Sequence, residues 1–96
     1  MGSSISWNKA ADGRAQVQLS GRLTIEEVAG LVDDLASEAP RAPGLAVDLS
    51  GVSAIDTAGA WAVNSLVDRW QAAGHAAALA GAAPEIDRLI RAMATP

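Results

Sequence analysis

The sequence predicts a small α/β domain, a four-stranded mixed sheet carrying about three helices in the order β-β-α-β-α-β-α. Three observations lead there. The chain opens with period-two alternation, Ile5 and Trp7 and then Ala15, Val17 and Leu19, with Asp12-Gly13 between them as a turn signal. Helical periodicity takes over in three later segments. Between these, Leu45–Leu49 and Ala76–Ala80 are short apolar runs bounded by turn residues, as buried strands are. Two such strands joined by a helix form a crossover unit, so part of the sheet is parallel.

Taken in order, the opening hairpin places strands near 4–9 and 14–20, with Gly21 breaking the pattern. Thr24-Ile25-Glu26-Glu27 fits a capping box, in which Thr24 accepts from the third helical amide and Glu27 reaches back. Ile25, Val28, Ala29, Val32, Leu35 and Ala36 follow at helical spacing and predict a helix to about residue 39. Glu26, Glu27, Asp33, Asp34 and Glu38 occupy its opposite side, a solvated face. Pro40 and Pro43 mark the next loop, and Ser50 to Ile55 reads as a connection after the third strand. A second helix runs from Thr57 to about Ala73 and stops before Gly74. Ala76–Ala80 is a strand in spite of alanine's weak β-propensity. Pro84 stands near the start of the last helix, whose buried stripe is Ile86, Leu89, Ile90 and Met93.

The 96 residues suit one domain with one modest core, and half of them are apolar, which is globular composition. Cysteine is absent, which excludes disulfides and thiolate metal sites and suits a reducing compartment. A net charge of −4 with no basic cluster argues against nucleic acid, whose phosphates need cations to displace their counterions. No apolar run is long enough to span a bilayer, and Met1-Gly2-Ser3-Ser4 lacks the basic and apolar regions of a signal peptide. The expected location is the cytoplasm. Catalysis has little to build on: His75 is the sole histidine, and no phosphate-binding glycine loop is present. The expectation is a protein that is not an enzyme and holds no cofactor or metal.

The second helix carries the feature that calls for explanation. At 100° per residue, Gly59, Ala62, Val63, Leu66, Trp70 and Ala73 share the core face. Thr57, Trp61, Asn64, Ser65 and Asp68 take the other side, which leaves the indole of Trp61 among polar groups one turn from Thr57. A large aromatic in that position marks a contact site, or it folds over a neighbouring loop or packs on Ile55 or Val52. Asp56 and Thr57 are both good helix caps. A hydroxyl at a helix N-terminus is also a favourable place for a phosphate, since free amides stabilise added negative charge. Ala58 and Gly59 let the helix start lie close against the preceding strand.

The run V-D-L-S-G-V-S-A-I-D-T-A-G-A-W, Val47 to Trp61, resembles the central signature of the STAS family, the sulfate-transporter and anti-sigma-factor-antagonist domains. V-Q-L-S-G-R-L-T, Val17 to Thr24, resembles that family's second strand and its turn into the first helix, and the likeness covers nearly the whole chain. By position, the resemblance puts Thr57 in the place of the regulatory phospho-acceptor, with Asp56 before it and Gly59 as the close-packing glycine. Threonine stands where serine is more usual, and Ala60-Trp61 where aliphatic residues are typical. D-T-x-G followed by a bulky residue, and the opening I-S-W, look more like the STAS components of Mla-type phospholipid ABC transporters. That resemblance implies a cytoplasmic accessory domain at the inner face of a bacterial inner membrane. It would dock on the ATPase subunit, with the permease as a separate chain or in the same one. The implied contact set is Asp56, Thr57, Ala58, Trp61, Asn64, Ser65 and Asp68. The alternative is an anti-sigma-factor antagonist, with an anti-sigma factor as partner and a kinase that phosphorylates Thr57.

Overall fold

A computed structural model of the chain describes residues 4–40 and 43–94, so Met1, Gly2 and Ser3 lie outside the described residues. The elements are β1 (Ser4–Lys9), β2 (Ala15–Leu23), α1 (Ile25–Leu35), β3 (Gly44–Ile55), α2 (Thr57–Ala72), β4 (Ala76–Ala80) and α3 (Pro84–Met93). They follow the order β-β-α-β-α-β-α. The four strands form one sheet in the order β1-β2-β3-β4. β1 is antiparallel to β2, while β2, β3 and β4 run parallel through the two helical crossovers.

Alternation decides which side of the sheet is covered. Ala15, Val17 and Leu19 on β2 and Leu45, Val47 and Leu49 on β3 are buried, and apart from Gly44, which begins β3, their neighbours along each strand are not. They pack with Leu35 of α1, with Ala60, Ala62, Val63, Leu66 and Trp70 of α2, and with Ile86 and Ile90 of α3. Trp70 is the largest fully buried side chain. The indole N–H of Trp7 donates to the carbonyl of Asp34 at 3.2 Å, which ties β1 to the last turn of α1. Gln16, Gln18, Asp48 and Ser50 point to the opposite face of the sheet, which carries no helix among the described residues. Among the described residues no helix is long and apolar enough to cross a membrane.

Several expectations need correcting. β2 does not stop at Gly21: it continues to Leu23, with Gly21 at φ 84° inside the strand. β3 does not stop at Leu49 either. Its second half pairs with Ser20 to Leu23 through two register shifts, at each of which β3 contributes an extra residue. These bulges move the inward side from the odd positions, up to Leu49, to Val52, which is also buried. α1 ends at Leu35, short of 39, and a turn follows in which the Ser37 hydroxyl donates to the Asp34 carbonyl at 2.7 Å. The capping box does not form, since the Thr24 side chain makes no cap bond and only its carbonyl receives the amide of Glu27. Ile25, Ala36, Ala73 and Met93 are exposed, not buried. The side chains of Val28 and Ala29 lie outside the described residues. Ala60, absent from the expected core face, is fully buried where α3 covers that flank of α2.

Candidate functional site

The site begins where β3 delivers the chain to α2. Asp56 has an extended backbone, and its N–H donates to the carbonyl of Leu23 at the end of β2 at 3.2 Å. Its carboxylate is divided between two helices. One oxygen accepts from the Gly59 amide of α2 at 2.9 Å, the other from the Ile25 amide that starts α1 at 2.9 Å. A single side chain therefore satisfies unpaired amides at both helix N-termini. The Gly59 amide, then that of Ile25, holds the Asp56 carboxyl below its ordinary value, because these bonds favour the ionised form.

Gly59 sets how close α2 lies. A Cβ built there would sit 1.9 Å from the Leu23 carbonyl oxygen and 2.9 Å from Cγ1 of Ile55. The close approach predicted for the small residues thus falls on one of them, and it is made to the end of β2 as well as to β3.

A second residue completes the clamp on α1. The Arg69 guanidinium donates to the carbonyls of Leu35 at 3.5 Å and Glu38 at 2.5 Å, placing a cation at the C-terminal end of α1. Asp56 and Arg69 lie about 20 Å apart along α2 at 1.5 Å per residue, close to the length of α1. Each charge meets the helix end of opposite sign. The sequence reading missed Arg69, and its one local signal is a basic residue in the last turn of α2.

With Asp56 capping, Thr57 is the first residue of α2, and its hydroxyl is exposed with no hydrogen bond among the described residues. One turn on, Trp61 is 54% exposed, so its ring stands out from the core. Asp68 is exposed on the same outward line, two turns further. The other expected contact residues are distributed differently. Ala58 and Ser65 are half-buried, and Ser65 faces α1. Asn64 is half-buried and turned to α3, where its amide donates to the Ile90 carbonyl at 2.8 Å. It ties the two helices together and does not sit on the outer surface with Trp61. Ile25, which the sequence assigned to the core, is instead 72% exposed beside Asp56. A trough runs between α1 and α2. Val32, Leu35 and Ala36 line one wall of the trough, and Ala62, Ser65 and Leu66 the other, with Arg69 across one end. Its volume is about 100 Å³.

The ring of His75 meets Trp70 edge-on with centroids 6.4 Å apart, away from Thr57 on α2. Among the described residues no three His, Cys, Asp or Glu side chains gather to hold a metal.

Comparison with known proteins finds solved structures of similar fold. The chain spans 18% of the solved chain of Mglu, which matches over 77% of this sequence at 22% identity and a TM-score of 0.65. The anti-sigma factor antagonist SpoIIAA in its unphosphorylated form matches over 92% of this chain and 82% of its own, at 13% identity and a TM-score of 0.68. The murine anion transporter Slc26a9 matches over 95% of this chain and 18% of its own, at 16% identity and a TM-score of 0.69. At these identities the likeness is one of fold. No match is found among curated proteins. A family model described as "Mlab, STAS domain" covers residues 7–95, and on that match, with the four-stranded sheet and its helical crossovers, the chain belongs to the STAS domain family.

Proposed function

We propose that this chain is the STAS accessory domain of an Mla-type phospholipid ABC transporter and docks on the ATPase subunit through the outer edge of α2. The observation that carries the reading is Trp61, 54% exposed and one turn from the unbonded hydroxyl of Thr57. The family description, "Mlab, STAS domain", supports the choice of partner. A ring already half covered by its own chain leaves about 100 Å² to be removed from water, or about 3 kcal/mol before association costs. That is enough for one residue to dominate a modest interface. Asp56, Thr57, Ala58, Ser65 and Asp68 frame it, and Asn64 contributes by holding α3 against α2. The domain does no chemistry in this reading, and it sits at the inner face of the membrane through the transporter. Trp61→Ala is the test. The variant should keep its fold and lose co-purification with the ATPase subunit; unchanged co-purification contradicts the proposal.

A second reading is favoured by a specific feature, the division of labour between Asp56 and Thr57. Because the carboxylate does the capping, the Thr57 hydroxyl is left for modification at a helix N-terminus. In an anti-sigma-factor antagonist, a kinase would add a charge of about −1.5 to −2 there and so repel the partner. Mass spectrometry after incubation with serine/threonine kinases separates the two readings: a stoichiometric phosphate on Thr57 favours the switch, and its complete lack removes it.

A further inference from the structure

The trough between α1 and α2 lies alongside Trp61, since Ser65, one turn from the indole, forms part of its wall. Its lining is mainly aliphatic, with Ser65 and Arg69 the polar members, and its rims are not aliphatic. α1 carries Glu26, Glu27, Asp33 and Asp34 and no cation at all. Val32 and Ala36 lie on the face of α1 turned to α2, and Glu26 and Asp33 stand on the adjoining, exposed flank. On the α2 side the exposed Asp68 stands beyond Ser65 and in line with Trp61. The one cation on the two helices, Arg69, has its guanidinium engaged by the Leu35 and Glu38 carbonyls. The surface is thus an apolar slot between two acidic rims. Exposed Trp61 stands on its α2 shoulder.

We infer that the partner presents to this slot an amphipathic helix with lysine or arginine on both flanks of an apolar side chain, and that this side chain enters between α1 and α2. The inference rests on the proposed docking through α2 and adds the chemistry of what docks. An apolar groove selects a helix by its aliphatic residues at three- and four-residue spacing. Carboxylates on both rims repel an acidic helix and draw in a basic one, so orientation and association rate are set by charge while residence is set by the slot. A trough of about 100 Å³ has room for one side chain. The slot therefore takes one anchor from the partner, and Trp61 supplies the complementary one from this chain.

The test uses the whole chain and the ATPase subunit of the transporter, with affinity measured at low and high salt. Asp33→Lys/Asp68→Lys reverses both rims at exposed positions, and Ala36→Trp closes the slot from an exposed position at the end of α1. The rim variant should bind about tenfold more weakly at about 50 mM salt, with the difference nearly gone at about 0.5 M, where exposed charges are screened. The slot variant should lose about tenfold or more at both salt concentrations. Circular dichroism melts check the fold. Should either variant unfold, Asp33→Asn/Asp68→Asn and Ala36→Leu take their places, with smaller losses in the same salt pattern. If Trp61→Ala weakens binding while rim and slot variants bind like the parent, the basic helix is wrong and docking through α2 stands. If Trp61→Ala is also without effect, both fall.

Discussion

Replacing Gly59 with alanine puts a methyl group 1.9 Å from the carbonyl oxygen of Leu23, about 1 Å inside the closest approach that Cβ atoms make. The obstacle is backbone, which cannot rotate aside as a side chain could. It also accepts the amide of Asp56, so relieving the clash strains the residue that caps both α1 and α2. Alanine's better helix propensity contributes about 1 kcal/mol in favour of the variant. Overpacking costs about 1–3 kcal/mol, and losing the Asp56 amide bond adds about 1 kcal/mol more. The net expectation is a loss of about 2 kcal/mol, which lowers Tm by about 8–16 °C in a domain of this size. Gly30→Ala is the control, because a Cβ there meets nothing within 4 Å and the position is exposed in α1. It should raise Tm by a few degrees, from a gain of about 0.5–1 kcal/mol. Thermal melts of the two variants side by side provide the assay. If Gly59→Ala melts with or above the parent, α2 does not lie against Leu23 as described.

Asp56→Asn should lower Tm at neutral pH, since an amide side chain cannot accept from the Gly59 and Ile25 amides with two oxygens. Because the folded carboxyl titrates below its ordinary value near 3.8, its contribution is full above that value and is lost as pH falls through the lower folded one. The gap in Tm between parent and variant should therefore close in acid; a gap independent of pH contradicts the double cap. Arg69→Ala should speed amide exchange in the last turn of α1 and cost about 1.5 kcal/mol, because the Leu35 and Glu38 carbonyls lose a charged donor. Exchange unchanged at α1 refutes the clamp. Asn64→Ala should destabilise by about 1 kcal/mol, read from denaturant unfolding, through its lost bond to Ile90. A larger effect on ATPase binding than on unfolding would instead put Asn64 in the contact surface.

Local pattern carried much of the architecture. α2 and β4 are legible because Gly74 punctuates the chain between them, and α3 because Pro84 opens it. The second half of β3 was hidden because its bulges around Ser50 and Ser53 destroy period two, the signal by which a strand is read. The capping box at Thr24 failed for a different reason. The carboxylate that caps α1 comes from Asp56, 31 residues later, and spacing within a helix reveals local partners only. For the candidate site, a helical wheel separates inside from outside and so put Thr57 and Trp61 outside, where they lie. It cannot tell open surface from a flank covered by another helix, which is why Asn64 and Ala60 were misassigned. Arg69 escaped because its bonds to the Leu35 and Glu38 carbonyls exist only once α1 and α2 lie side by side.

Whether another protein holds Trp61 is measured directly by one titration. With parent and Trp61→Ala chains of equal Tm, the Kd for the transporter's ATPase subunit should rise about 30-fold or more in the variant, the loss expected of a central aromatic anchor. A Kd unchanged within about twofold would mean that the indole is surface and nothing more.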